Sequence, residues 1–126
     1  MTNAADRKLV AFAAVFTVRD VGRSLDYYGA RLGFREFFRL GDPPSYAIVE
    51  RDAVSLHLMP ASQESRGLGC SSIYVFAASV DDLHAELLAQ GCTIEHAPAD
   101  LDYGMREMSV LDPDGNRITF SQEVNR

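Results

Sequence analysis

The sequence predicts an α+β fold in which two βαβββ modules form a curved mixed sheet around a cleft, and three observations predict it. Each half opens on an apolar, β-branched run followed by a helical pattern with a glycine stop. Shifting the chain by 58 residues lays Leu25 on Leu83 and Gly33 on Gly91, so helix face meets helix face and stop meets stop. The run Leu111 to Phe120, LDPDGNRITF, then supplies a closing hairpin. In it Pro113 presets φ for the bend, Asp112 and Asp114 cap local amides, and Gly115 accepts a positive φ.

Taken in order, Val10 to Val18 (VAFAAVFTV) is continuously apolar, which suits a strand covered on both faces. Asp20 follows as a helix N-cap, with Ser24 a competitor one turn later. Val21, Leu25, Tyr28 and Leu32 recur at helical spacing, and Gly33 sits where a helix end wants positive φ. Phe34 to Leu40 reads as a strand ended by Gly41, Asp42, Pro43 and Pro44. Tyr46 to Glu50 and Val54 to Met59 are two more, around a turn at Arg51 and Asp52, and Pro60 ends the second. A polar linker from Ala61 to Gly69 reads as mobile.

The second half repeats this. Ser71 to Ala77 is a strand, Asp81 or Ser79 starts a helix, Leu83, Leu87 and Leu88 supply its apolar face, and Gly91 ends it. A strand at Thr93 to His96 leads into a loop with Pro98 and Gly104. Arg106 to Leu111 and Arg117 to Ser121 form the final hairpin. With its longer turn, His57 of the first half falls opposite Thr119.

At 126 residues the chain has the length of one domain, with modules at about 10–60 and 70–122 joined by 61–69. A net charge of −6 argues against nucleic acid, whose phosphates need clustered Lys and Arg. The same charge suits a cationic small ligand, and solubility equally. Cys70 and Cys92 show no Cys-x-x-Cys spacing, and no leader is visible, so two reduced thiols in a cytoplasmic protein are the expectation. No apolar run reaches the roughly 18 residues a spanning helix needs. Met1 to Lys8 reads as a loosely held polar arm.

Four motifs in order and spacing carry a resemblance. FTVRDVGRSLDYYGARLGF, VSLHLM, SSIYVFAASVDDLHAEL and DPDGNRITF together resemble the vicinal oxygen chelate superfamily, which contains glyoxalases, extradiol dioxygenases, fosfomycin-modifying enzymes and bleomycin resistance proteins. The resemblance covers Phe12 to Gln122. Metal-dependent members place ligands on symmetric strands, and those positions fall here at Ala13, His57, about Ser72, and Thr119. A divalent metal in a catalytic site needs about three protein ligands, and a methyl and two hydroxyls cannot replace imidazoles and carboxylates.

That pattern of losses looks like the bleomycin resistance branch, whose members sequester a drug without chemistry. The spacing from Phe38 through Tyr46 to His57, the aromatic Tyr74, and MREMSVLDPDGN with Arg106 and Glu107 resemble that branch in particular. The resemblance implies a homodimer with exchanged arms and two equivalent crevices between subunits. It also implies a non-catalytic site for a small aromatic, cationic, bleomycin-like compound, with no cofactor, no metal, no nucleic acid and no membrane. The competing reading is a metal-dependent glyoxalase- or dioxygenase-type enzyme using, for example, His57, Glu107 and a histidine of the other subunit.

Alternation puts Ser55, His57 and Met59 on one strand face and Ser72, Tyr74 and Phe76 on another. On the resemblance, Phe38, Tyr46, His57, Tyr74, Phe76, Tyr103 and Met108 are the expected ligand contacts. An aromatic ring contact contributes roughly 0.5 to 1.5 kcal/mol beyond area burial, which favours a flat heterocycle. Each residue has a plainer role. Phe38, Tyr46 and Tyr74 serve equally as core or interface aromatics. His57 is a hydrogen-bonded histidine before it is a catalyst. Met59, Met105 and Met108 are packing residues first. His84 and His96 face solvent, both thiols are inert, and Asp102 and Tyr103 lie on a loop able to cover a ligand.

Overall fold

The computed structural model describes residues 7–63 and 67–124, and within them each half folds as a strand, a helix and three further strands. The first module comprises β1 (Ala14–Val18), α1 (Val21–Ala30), β2 (Arg35–Leu40), β3 (Tyr46–Arg51) and β4 (Val54–Pro60). The second comprises β5 (Ser72–Phe76), α2 (Val80–Ala89), β6 (Thr93–Asp100), β7 (Met105–Leu111) and β8 (Arg117–Glu123). Each module makes its own four-stranded sheet, in the orders β1-β4-β3-β2 and β5-β8-β7-β6. The opening strand runs parallel to the closing one, and the other pairs are antiparallel. Val15 stands opposite His57 in the first sheet as Tyr74 stands opposite Thr119 in the second. His57 and Thr119 also hold the same place in the burial alternation, each half-buried between two buried residues of the closing strand (Leu56 and Leu58, Ile118 and Phe120).

The helix signals act at the expected residues. Asp20 caps α1 by accepting from the Arg23 amide at 2.9 Å, whereas Ser24 is buried inside the helix. Ser79, not Asp81, caps α2, and Asp81 and Asp82 occupy its first turn, where negative charge suits the amide end of the helix. Gly33 and Gly91 follow the two helices at φ +73° and +80°.

Several boundaries differ from the sequence reading, each for a physical reason. The strand expected from Val10 begins only at Ala14, because its parallel ladder starts at Leu56 and upstream of Val54 the template is already the β3–β4 turn. Leu9, Val10 and Phe12 consequently stand 90%, 81% and 91% exposed. β6 runs on through Pro98 to Asp100 instead of stopping at His96. It lies at a sheet edge, and its register breaks on either side of His96, so a missing amide hydrogen is tolerated there. Leu88 does not join the apolar face of α2; it is 58% exposed, one residue around the helix from fully buried Leu87. His84 is half-buried and His96 exposed. The expected arm at Met1–Lys8 falls mostly outside the described residues, as does the middle of the Ala61–Gly69 linker, which begins as a short 3-10 turn at Ala61–Gln63.

One core draws on both modules. Phe16, Tyr28, Leu56 and Leu58 of the first half and Val80, Leu87, Met108 and Ile118 of the second belong to a single buried cluster. The closing hairpin clamps the halves together. The buried Asp112 carboxylate accepts from the amides of Asp114 and Asn116 at 2.9 Å and from the Tyr28 hydroxyl of α1 at 3.0 Å. Asn116, with no exposed surface, donates to the Thr17 carbonyl of β1 at 3.1 Å and accepts from the Ser71 amide at 3.2 Å. Burial, and then the charge of Asp112, push the Tyr28 phenol well above its ordinary value. At the far ends of the helices Arg51 forks onto Glu86 at 2.7 and 2.9 Å, and Arg31 donates to the Gln90 carbonyl at 2.7 Å.

Candidate functional site

Alternation gives each sheet one face in the core and one turned away from it. In the first module Ala47, Val49, Leu56 and Leu58 are buried, which leaves Tyr46, Ile48, Ser55, His57 and Met59 on the other face. Register lines up Val15, His57, Ile48 and Phe38 across that face. The Tyr46 hydroxyl lies 2.5 Å from His57 Nδ1, and the two rings meet edge-on with centroids 5.6 Å apart. With the phenol donating, Nδ1 is committed as an acceptor. Phe38 is 45% exposed at one end of the row.

In the second module Tyr74 and Phe76 of β5 stand 48% and 76% exposed, edge to face with centroids 5.4 Å apart. Register sets Phe76 opposite Ser121 of β8, and Ser121 opposite Glu107 of β7. The Tyr74 phenol donates to Glu107 Oε2, and Tyr103, from the turn between β6 and β7, donates to the same oxygen at 2.9 Å. Ser121 Oγ lies 2.8 Å from the Tyr74 hydroxyl and 3.3 Å from Glu107 Oε2. The bond to the carboxylate raises the Tyr74 phenol; local desolvation, and then the same carboxylate, push Tyr103 up to about 12. A cavity of about 550 Å³ opens on this face, lined by His96, Leu101, Glu107, Ser109 and Thr119 among others. That is within the usual range of roughly 300–1,000 Å³ for a small-molecule site. Beside it Glu95 accepts from Arg117 at 2.7 Å and from Ser109 at 2.8 Å, and these bonds hold its carboxyl down at about 2.

The expected contacts therefore fall into two groups. Phe38, Tyr46 and His57 share the first sheet, while Tyr74, Phe76 and Tyr103 gather on the second. No hydrogen bond or ring contact joins the groups among the described residues. Met108 is 1% exposed and packs in the core cluster, yet it also lines the cavity together with its strand neighbours Glu107 and Ser109. Glu107 is the residue that the list of expected contacts left out. The available signal was an acidic side chain in strand phase with Ser109, ahead of the last turn.

The residues at the positions that the resemblance assigns to metal ligands do not fit a divalent metal. Ala13 and Ser72 are exposed and Thr119 half-buried, so a methyl and two hydroxyls accompany the single imidazole of His57. Among the described residues no group of three or more His, Cys, Asp or Glu side chains comes together. Glu107, named in the enzyme reading, sits on the other sheet under its phenols. Cys70 is exposed and Cys92 buried, both as free thiols, and burial pushes the Cys92 thiol up.

The family model described as "Glyoxalase/Bleomycin resistance protein/Dioxygenase superfamily" matches residues 10–120. No curated protein sequence matches the chain. Among solved structures, TioX from Micromonospora sp. ML1 superposes with a TM-score of 0.80 at 19% identity, covering 91% of this chain and 100% of that one. A bleomycin-binding protein complexed with bleomycin gives 0.76 at 20% identity over 91% and 99% of the two chains. A bleomycin resistance determinant encoded on the transposon Tn5 gives 0.75 at 20% identity over 90% and 98%. At these identities the likeness is one of fold.

Proposed function

Because the chain belongs to the glyoxalase/bleomycin resistance protein/dioxygenase superfamily, we propose that it binds and sequesters a small aromatic, cationic compound without transforming it. The observation that carries this reading is the donor set. By the resemblance, the positions where a metal-dependent relative grips its ion hold Ala13, Ser72 and Thr119, which offer neither imidazole nor carboxylate, while Tyr74 stands opposite Thr119 and Tyr46 is bonded to His57. Among the described residues His57 is hydrogen-bonded to Tyr46 and belongs to no group of three or more His, Cys, Asp or Glu that could hold a metal. A bound ligand stacked on Phe38, Tyr46, Tyr74 or Phe76 is retained by ring contact and burial, and no reaction centre faces it.

The two aromatic groups are open half-sites, and a second copy completes them in this reading. Setting the first sheet of one protomer against the second sheet of its partner makes two equivalent crevices per homodimer. The exposed arm Leu9 to Phe12 gives that partner an apolar segment to cover. The bleomycin complex of a protein with this fold makes that drug the first compound to try.

Calorimetric titration with metal-free and copper-loaded bleomycin, followed by mass spectrometry of the recovered compound, tests the proposal. The expected result is one site per chain and unchanged mass. Turnover of any aromatic ligand, with metal added or not, would overturn sequestration; absence of heat at high micromolar drug would remove bleomycin as the guest.

A further inference from the structure

We propose that Glu107, with Tyr74, Phe76 and Tyr103 around it, is the seat for a primary ammonium group, so that the compound taken up carries an alkylamine and not a guanidinium as its cation. The carboxylate is half-buried and has no basic partner among the described residues. The cations of its own and the neighbouring strand are committed elsewhere: Arg106 to Asp81 and Asp100, both at 3.0 Å, and Arg117 to Glu95 at 2.7 Å. The partners of this carboxylate are all neutral hydroxyls, so its charge is unbalanced, and a ligand cation is the partner that this arrangement lacks.

The geometry also selects the kind of cation. Hydroxyls of Tyr74, Tyr103 and Ser121 all converge on Oε2, whereas Oε1 accepts no hydrogen bond among the described residues. A guanidinium is held best by two parallel bonds to both oxygens of a carboxylate, and here one oxygen is saturated. An ammonium is a compact charge that needs only one oxygen, while ring faces accept either cation, so the choice rests on the single free oxygen. Tyr74 and Phe76 offer such faces, being 48% and 76% exposed and set edge to face, with Phe76 in register with Ser121 and Glu107. The inference rests on the sequestration reading only for where the aromatic part of the ligand sits.

The test uses the purified full chain and three probes that share one ring system: 2-(2-naphthyl)ethylamine, the corresponding guanidine, and 2-(2-naphthyl)ethanol. At neutral pH the amine should bind about tenfold more tightly than the alcohol, with the guanidine between them. Glu107→Gln should abolish the amine's advantage and leave the alcohol unchanged, whereas Phe38→Ala should weaken all three alike. Tyr103→Phe supplies a second readout: by removing one hydroxyl from Oε2 it should bring the guanidine up towards the amine, which loss of packing alone would not do. Equal binding of amine and alcohol, or a preference that survives Glu107→Gln, overturns the ammonium seat while leaving aromatic sequestration in place. Glu107-dependent binding of methylammonium with no binding of any naphthyl probe supports the seat and overturns the aromatic site. No binding of any probe overturns both.

Discussion

Asn116→Ala should destabilise the protein by about 3–5 kcal/mol, which for a chain of this size lowers the melting temperature by roughly 10–20 °C. Asn116 has no exposed surface, and its amide spans three elements: it donates to the Thr17 carbonyl of β1 and to Asp112, and accepts from the Ser71 amide that leads into β5. Truncation leaves the Thr17 carbonyl and the Ser71 amide without those partners inside the protein. An unmet buried polar group costs about 1–3 kcal/mol, and Asp112 loses one of its donors as well. Pro113→Ala in the same turn should change little, since that ring is exposed. Thermal and urea unfolding followed by circular dichroism measure both; a loss below about 1 kcal/mol for Asn116→Ala would mean that the hairpin does not hold the modules together.

If the homodimer proposed above forms, replacing Leu9, Val10 and Phe12 together by Asp should raise its dissociation constant by at least about a hundredfold, because each such side chain contributes roughly 1.5–3 kcal/mol when fully buried. Within one chain the three gain almost nothing from folding, standing 81–91% exposed, so the protomer's own unfolding midpoint at low concentration should not move. Sedimentation equilibrium separates the outcomes. A wild-type protein that stays monomeric at high micromolar concentration, or a variant that associates as well as the wild type, would remove the arm from the account.

Much of this architecture was legible in the sequence because its signals are local. Asp20 and Ser79 cap helices, Gly33 and Gly91 end them, and Asp112 to Asn116 form the turn that their chemistry demands. The misreadings arise where the outcome depends on something distant. Val10 to Ala13 is apolar enough for a strand, but a strand needs a paired neighbour, and the ladder with β4 begins only at Ala14. Pro98 reads as a loop until β6 proves to be an edge strand. Met108 and Glu107 differ through strand phase: one residue of register decides which packs in the core, while both border the cavity. Glu107 gains its importance from Tyr74 and Tyr103, and from cations that are engaged elsewhere, none of which spacing displays.

The account stands on what occupies the symmetric ligand positions. Elemental analysis of the purified protein, after exposure to zinc, nickel, manganese and iron and removal of the excess, addresses it most directly. Less than about a tenth of an equivalent per chain is the result expected of a site with one imidazole and no second strong donor. A full equivalent of one divalent ion per chain, lost on His57→Ala, would contradict it and return the protein to the metal-dependent enzymes of its superfamily.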